Sequence, residues 1–575
     1  MTRSTSADMI KSAAPANGAQ TAIRTLEALG VELCFSYPGA AAVEFHQALA
    51  DSSIRVVLPR HEQGGAFAAD GYARATGKVG VCMATSGPGA TNILTGLADA
   101  FMDSVPVVFI TGQVDLHQIG TNAFQEVDII GMTRAVVKHS FLITDVNEID
   151  AVIREAFALA RAGRPGPVLI DFPKDIQKQF PTRPRSPEPV RRPAPAGIPE
   201  ATLRRLLDLI QSSRRPCIYA GGGVIAGNAA AGLRRFAEGN HIPVATSLMG
   251  IGAFPENHPL ALKFFGMHGS YPANCAVNEC DLLLVFGARF SDRSTGDSRR
   301  FAEKAFIVHI DIDDSEINKI IRADLSCHAD LATVLDELNQ HLEYRERREW
   351  LAQIAVWRAA HPLSWRPEPG KLLPQQVIAA LDRHSGGEAI IVPGVGQHQM
   401  WAAQFYTYRH PRQLLTSGGL GSMGFGLPAA MGAKLARPER CVINIDGDGS
   451  FQMNVQELGT IAAEGIGVKM VILNNRHLGM VAQIEDLFYQ GKRGNTDLRC
   501  GDRSLPGFAD LARAYRIPAR DVDTPEELDA AILEMLNTPG PFLLDCHTEY
   551  RDHVLPMIPA GKTYRDIILP QAAGE

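Results

Sequence analysis

The chain has 575 residues, of which 21% are charged, and a formal net charge of −7. That length predicts three to four domains with ample core. The small net charge and the lack of a basic run argue against nucleic-acid binding, and no apolar run is long enough to span a membrane. Nine cysteines, odd in number and without a Cys-x-x-Cys pair, read as buried reduced thiols of a cytoplasmic protein rather than a zinc site.

In chain order, Met1 to Gly18 is Ala/Ser-rich and polar, lacks the apolar core of a secretory signal, and is expected to be a disordered tail. Residues 19–182 alternate helix and strand patterns. Glu32–Ser36 reads as a strand leading into Tyr37-Pro38-Gly39-Ala40. Ile54–Leu58 is a second, running through Pro59-Arg60-His61-Glu62 into an Ala-rich helix. Glu62 thus sits at a strand-to-helix junction, where a carboxylate either favours the helix dipole or faces a strand-end cleft. Val79–Ala84 leads into a Gly-rich turn around Gly87, by itself a weak phosphate-loop signal. The Pro- and Arg-rich stretch 183–199 reads as an extended linker.

Residues 200–343 form a second alternating unit. Strand Pro216–Ala220 ends in Gly221-Gly222-Gly223, and Gly221, Gly223 and Ala226 satisfy G-x-G-x-x-A. A nicotinamide site is disfavoured, because no ribose-binding acid follows the next strand near His241–Ala245. Residues 344–370 read as a helix and linker, and 371–550 as a third domain. In that domain Cys441–Ile445 is a buried strand, Asp446–Ser450 a Gly/Asp turn, and Val455, Leu458, Ile461 and Ala462 one face of a helix. Val468–Leu473 follows, ending in Asn474-Asn475. A strand–turn–helix–strand unit gives parallel strands with a right-handed crossover, so Asp448 and Asn475 fall at adjacent carboxyl ends, where open α/β sheets bind ligands. Glycines there admit phosphate oxygens, and hard side-chain oxygens suit magnesium.

Gly447-Asp448-Gly449, the following helix and Asn474-Asn475 resemble the thiamine diphosphate motif. With Ser417 to Gly426 and Leu478-Gly479-Met480-Val481, the chain resembles the catalytic subunit of acetohydroxyacid synthase (acetolactate synthase) from about residue 19 to its end. The resemblance implies an α/β protein of three doubly wound parallel-sheet domains. These would be a pyrimidine-binding domain (19–182), an FAD-binding central domain (200–343) and a thiamine diphosphate and Mg domain (371–550), with a tail, 551–575, over the site.

It also implies roles. Asp448, Asn475 and the backbone carbonyl of His477 would hold magnesium. Gly447, Gly449 and Ser450, then Val395, Gly396, Gln397 and His398, then Leu478, Gly479 and Met480 would surround the cofactor, with Gly421 beside Met423, its apolar prop. Tyr37, Glu62 and Gly87 would meet the pyrimidine, where Glu62 promotes the imino tautomer that removes the thiazolium proton. Arg164, Gly221, Gly222, Ser247 and Leu248 would bind FAD, as would Met267, His268, Gly287, Ala288, Arg289, Arg293, Asp311 and Asp330. Phe124 and Gln125 would contact the first pyruvate, Lys174 would lie near the reacting centre, and Arg293 would clamp the carboxylate of the second 2-oxo acid.

The implied reaction decarboxylates pyruvate and transfers two carbons to pyruvate or 2-oxobutyrate, for branched-chain amino-acid synthesis. The implied assembly is a homodimer or homotetramer in which Glu62 of one subunit meets the Asp448 region of another; a small regulatory subunit stays open. Ala40, Val481 and Ile484 would line the substrate pocket. Two of them depart from the family pattern: Ala40 replaces a glycine and Ile484 a tryptophan that favours 2-oxobutyrate, so a weak preference for that acceptor is expected. The alternatives are an FAD-dependent pyruvate oxidase, a specialised carboligase and an inactive regulatory paralogue. Gln125, Lys174, Met267 and Arg293 argue against the first, and intact Glu62, Asp448 and Asn475 against the last.

Overall fold

The structure is a computed structural model that describes residues 16–183, 197–341, 343–499 and 507–570. Most of the predicted linker (184–196) and of the predicted N-terminal tail lies outside them, but Ala16, Asn17 and Gly18 do not. Asn17 caps the helix Gly18–Ala28, its side chain accepting from the Gln20 N–H, so the tail ends earlier than expected. No helix among the described residues is long and apolar enough to cross a membrane.

Three parallel sheets organise the chain. The first holds β1 (Leu33–Ser36), β2 (Arg55–Val57), β3 (Gly80–Ala84), β4 (Val107–Gln113), β5 (His139–Leu142) and β6 (Val168–Pro173), in the order β2-β1-β3-β4-β6-β5. The second holds β7 (Pro216–Ala220), β8 (Val244–Thr246), β9 (Ala261–Phe264), β10 (Leu282–Phe286), β11 (Phe306–Asp311) and β12 (Leu325–His328), in the order β12-β11-β10-β7-β8-β9. The third holds β13 (Ile390–Pro393), β14 (Val442–Gly447), β15 (Lys469–Asn474), β16 (Ala519–Val522) and β17 (Phe542–His547), in the order β13-β14-β15-β17-β16. Leu414 pairs in parallel with Ile391 outside β13. Counting it as the missing edge, the third sheet repeats the strand order of the first.

Each order reverses direction within the sheet, the first and third also turning back at the β6–β5 and β17–β16 edges, and ligands bind in the crevice at an interior reversal. The interior reversals lie between β1 and β3, β7 and β10, and β13 and β14. A glycine stands in each crevice where a side chain would not fit. A Cβ on Gly39 would overlap Thr85, one on Gly221 the Gly287 carbonyl, and one on Gly394 the Asp446 carboxylate.

The first and third sheets are joined by equivalent helices, Glu62–Thr76 after β2 and Gly426–Ala436 after Leu414. Both carry Ala-x-x-Gly. Gly71 lies against the Ala429 backbone and Gly432 against the Ala68 backbone, so either Cβ would overlap a carbonyl oxygen. One core runs through this joint, from Phe67, Leu97 and Phe109 to Phe425, Leu458 and Ile472. The segment expected as a helix and linker at 344–370 is packed into a domain. Its helix Arg348–Ala360 buries Trp350 and Ile354 in the core of the second sheet, and the Trp350 indole donates to the Pro216 carbonyl at 3.0 Å.

At the end of β17, His547 lies between Asp523 (2.6 Å) and Asp545 (3.5 Å). Hydrogen bonding to Asp545, against the cost of burial, raises its pKa to about 9. A raised folded pKa stabilises fully below the ordinary 6.5 and is lost as pH climbs through the raised value. His547→Gln is therefore expected to cost about 1 kcal/mol at acid pH, after solvent screening of a half-exposed pair. The difference in melting temperature from the parent should close above about pH 9; a gap that widens with pH would contradict this.

Candidate active site

The crevice between β13 and β14 is built by register. Ile445 pairs with Pro393 and Gly447 with Leu473, so Gly394–Gly396, Asp448 and Asn475 leave three neighbouring strands at one edge. The expected Gly/Asp turn, Asp446–Ser450, is in fact the last two residues of β14 followed at once by a short helix, Asp448–Gln452. The amphipathic helix beyond it is broken. Val455 lies in a 3₁₀ turn, and Ala462, expected to be buried, is exposed.

Asp448 is 2% exposed. The backbone N–H groups of Gly449 and Arg476 favour its ionised form, Arg476 being held in the left-handed region at φ 60°. The Asp448 Oδ2 is buried without a partner, and burial pushes that carboxyl's pKa up to about 7. A buried orphan carboxylate oxygen is costly unless a cation completes it. Asn475 donates to Gln397 (3.3 Å) while its Oδ1 accepts from the His477 N–H (3.0 Å), and the His477 ring stacks on Tyr550. His398 lies beside Gly396 and Gly447, its buried Nε2 3.4 Å from the Asp446 carboxylate and without a hydrogen bond. This donor set fits a hard divalent cation carrying a phosphate group.

Gly479 approaches Gln397 and Asn475 so closely that a Cβ would overlap the Gln397 amide. Gln397 passes the chain on to Gln483 (3.0 Å), which bonds the Val554 backbone in both directions. The segment after residue 551 is thereby tied to the site. Its Ile558 N–H also bonds the Met267 carbonyl at 2.7 Å. Met423 reaches within 3.7 Å of the position a Gly449 Cβ would take, and Val395 within 3.8 Å of the position a Gly421 Cβ would take. Leu478 lies across Gly449, Met480 packs at the edge of the neighbouring core, and Ser450 Oγ accepts from the Gly424 N–H.

Glu62 begins its helix but does not cap it; the His61 ring accepts the Gln63 N–H instead. The Glu62 carboxylate turns to the β1/β3 crevice, accepting from Asn92 at 2.9 Å and lying 3.4 Å from the position a Gly89 Cβ would take. Tyr37 and Ala40 leave β1 at the same crevice, and Gly87 follows β3 at φ 58°. Gln125, at φ 60°, packs on Gly87; a Cβ there would lie 2.8 Å from the Gln125 carbonyl oxygen. Phe124 is 88% exposed, which excludes core packing for it. Lys174, half-buried, opens the short helix after β6. Val481, Ile484 and Phe488 form one exposed stripe on the helix Gly479–Phe488.

The β7/β10 crevice gathers Gly221, Gly222, Gly287 and Ala288, with half-buried Arg289 next in chain. Ser247 caps the 3₁₀ turn that begins at Leu248, and His268 is buried with Nδ1 unpartnered. Asp311 ends β11. Three expected members of this group are already engaged. Arg164 bonds Glu316 (2.9 Å) and Asp313 (3.3 Å), Asp330 caps the helix Leu331–Leu338, and Arg293 pairs with Asp292 on the surface.

Sequence reasoning missed Asn92, which orients Glu62, and Glu457, which accepts the Arg60 and His61 N–H groups from across the joint. It also missed a buried cluster of Asp70, Arg74, Asp99 and Asp103. The last had a signal: Asp70 and Arg74, four apart, interrupt an otherwise Ala/Gly-rich helix.

Three family models match the chain. They are the N-terminal TPP binding domain of thiamine pyrophosphate enzymes at residues 16–132, the central domain at 203–338 and the C-terminal TPP binding domain at 394–546. Among similar curated proteins, "Acetolactate synthase 2, chloroplastic" of Nicotiana tabacum is 52% identical over 96% of this chain and 85% of its own length. "Acetolactate synthase, chloroplastic" of Arabidopsis thaliana is 50% identical over 96% and 84%. "Acetolactate synthase 1, chloroplastic" of Oryza sativa subsp. japonica is 50% identical over 97% and 88%.

Proposed function

Because the chain belongs to the acetolactate synthase family of thiamine pyrophosphate enzymes, we propose that its acetolactate synthase activity takes pyruvate as donor and either pyruvate or 2-oxobutyrate as acceptor. The products are 2-acetolactate or 2-aceto-2-hydroxybutyrate, with carbon dioxide leaving, as branched-chain amino-acid synthesis requires. The observation that carries this reading is the buried, partnerless Asp448 oxygen at the β13/β14 crevice. Thiamine diphosphate, when bound, supplies the electron sink for decarboxylation.

The chain's own residues do the rest. Asp448, Asn475 and the His477 carbonyl would hold Mg²⁺, with Ser450, Gly396, Gln397 and His398 around the phosphates. Met423 gives the cofactor an apolar support. Glu62 exchanges a proton with the pyrimidine ring, its geometry set by Asn92. Gln125 and Phe124 would present the substrate loop to the same crevice, with Lys174, at the start of the helix after β6, as a further group near the reacting centre. Arg293, exposed and paired with Asp292 on a single subunit, would clamp the incoming carboxylate. The overall reaction moves no electrons in or out, so FAD in the β7/β10 crevice would be architectural. Its support is the strand order and the glycines there.

A homodimer or homotetramer is proposed, since the Val481, Ile484 and Phe488 stripe and Phe124 leave apolar surface uncovered. Cytoplasm is the proposed compartment, supported by the eight unpaired cysteines among the described residues. The domain limits proposed are those of the sequence reading, with the helix Arg348–Ala360 added to the central domain.

The test is product identification by NMR with pyruvate, thiamine diphosphate, Mg²⁺ and FAD, with and without oxygen. Acetolactate formed regardless of oxygen is expected; acetate or acetyl phosphate with peroxide, formed only with oxygen, would make the flavin a redox partner and overturn the proposal. Competing the two acceptors tests the pocket. Each methylene is worth about 1–3 kcal/mol in a shaped site, so Ile484→Trp is expected to raise 2-oxobutyrate preference about tenfold over a weak parent preference. A strong preference in the parent protein would contradict this.

A further inference from the structure

The loop from Thr416 to Ser422 contains three glycines, Gly418, Gly419 and Gly421, and its one large apolar residue, Leu420, is exposed. Such a segment has little side chain to order it and much backbone freedom to lose. Its shape is set from the first sheet instead. Asp103, at the end of the helix Leu94–Asp103, accepts the Gly418 N–H at 2.9 Å and the Gly419 N–H at 2.7 Å. Asp99, one turn earlier, accepts the Ser417 hydroxyl and, at 3.0 Å, the Ser422 hydroxyl. Ser417 Oγ in turn accepts the N–H groups of Gly421 (3.0 Å) and Ser422 (2.9 Å). Arg74 donates to the Thr416 carbonyl at 2.8 Å and binds Asp70, Asp99 and Asp103.

All four ionisable side chains are buried, three carboxylates against one guanidinium. Such a set is poor value for stability, because apolar side chains of the same size would fill the space without desolvating charge. Burial and the neighbouring Asp103 also push the Asp99 pKa up to about 7. What the cluster does well is fix a loop. The far end of that loop lies on the candidate diphosphate turn: Gly424 donates to Ser450 Oγ at 3.1 Å, and Met423 faces Gly449.

We propose that Asp99 and Asp103, with Arg74, are positioning residues for the thiamine cofactor, holding the Thr416–Ser422 loop so that Gly421 and Met423 meet it in the right place. They touch neither cofactor nor substrate and act through the loop. The first sheet thus shapes a site that belongs to the third. This rests on the reading of Gly421 and Met423 as cofactor contacts.

The experiment titrates cofactor-free, full-length protein with thiamine diphosphate at saturating Mg²⁺ by calorimetry, and follows deuterium uptake of the 416–424 peptide without cofactor. Asp103→Asn and Asp99→Asn are expected to weaken cofactor binding at least tenfold and to speed exchange in that peptide. Leu97→Ala, on the same helix but facing the core, should lower the melting temperature without either effect. Should Asp103→Asn not fold, Ser417→Ala keeps the ion cluster whole and carries the same expectation. Parent-like binding and exchange in the aspartate variants, or losses matched by Leu97→Ala, would overturn the proposal. Asp448→Asn is run alongside. If it binds as the parent does, the cofactor reading itself is wrong and the inference falls with it. If it alone loses binding, the site stands and only the positioning role is refuted.

Discussion

Glu62→Gln is expected to lower kcat by about 10²–10⁴-fold, the usual worth of a positioned proton-transfer group, while thiamine diphosphate binding stays within a few fold. The substitution keeps the size of the side chain and an oxygen that can accept from Asn92. Helix capping is untouched, because His61 performs it. Stability should therefore move by no more than about 0.5 kcal/mol. The loss belongs in kcat because what is removed is an exchangeable proton, not a binding contact. Steady-state kinetics beside a calorimetric titration separates the two. Undiminished turnover would remove Glu62 from the chemistry, and lost binding with kcat preserved would make it a contact residue only.

The second large effect is at Asp448. Asp448→Asn replaces the orphaned Oδ2 with an amide nitrogen and removes the charge a magnesium ion would balance. Loss of a group that merely supports a ligand costs about 10- to 100-fold in metal affinity, so loss of a ligand should cost at least 100-fold. The same variant should leave the metal-free protein as stable as the parent, or more so. Burial holds the Asp448 carboxyl at a raised pKa, so its ionised form works against the fold wherever no cation is bound. Mg²⁺-dependent binding of thiamine diphosphate and the metal-free melting temperature are the two readouts. A less stable metal-free protein with intact binding would mean that Asp448 is a structural acid.

Much of this was legible in residue order. Cys441 to Asn475 reads as strand, glycine-rich junction, helix and strand because local periodicity and the positions of glycine are short-range properties. Even there the detail failed. The helix after Asp448 is broken at Val455, and Ala462 faces solvent, because the chain must step from the crevice over the joint where Glu457 meets Arg60 and His61. The 344–370 stretch read as a helix and linker, and the helix is there; only the burial of Trp350 against β7 makes it part of a domain. Arg164 and Asp330 show the other limit. Residue type fits a ligand contact, but that Arg164 also pairs with Glu316 and that Asp330 caps a helix could not be read from residue order.

By itself the sequence determined the family, the three α/β units and the residue types that thiamine chemistry needs, since motif spacing and strand-end glycines are written along the chain. Only the tertiary structure decided which of those residues share a crevice. The strand orders reverse between β1 and β3, β7 and β10, and β13 and β14 through pairings far apart in sequence. It alone showed the glycine-to-backbone joint of Gly71 and Gly432, and the Asp99 and Asp103 hold on the Thr416–Ser422 loop. Those contacts join residues more than 300 positions apart, and burial, which gives each carboxylate its character, exists only once the sheets have packed.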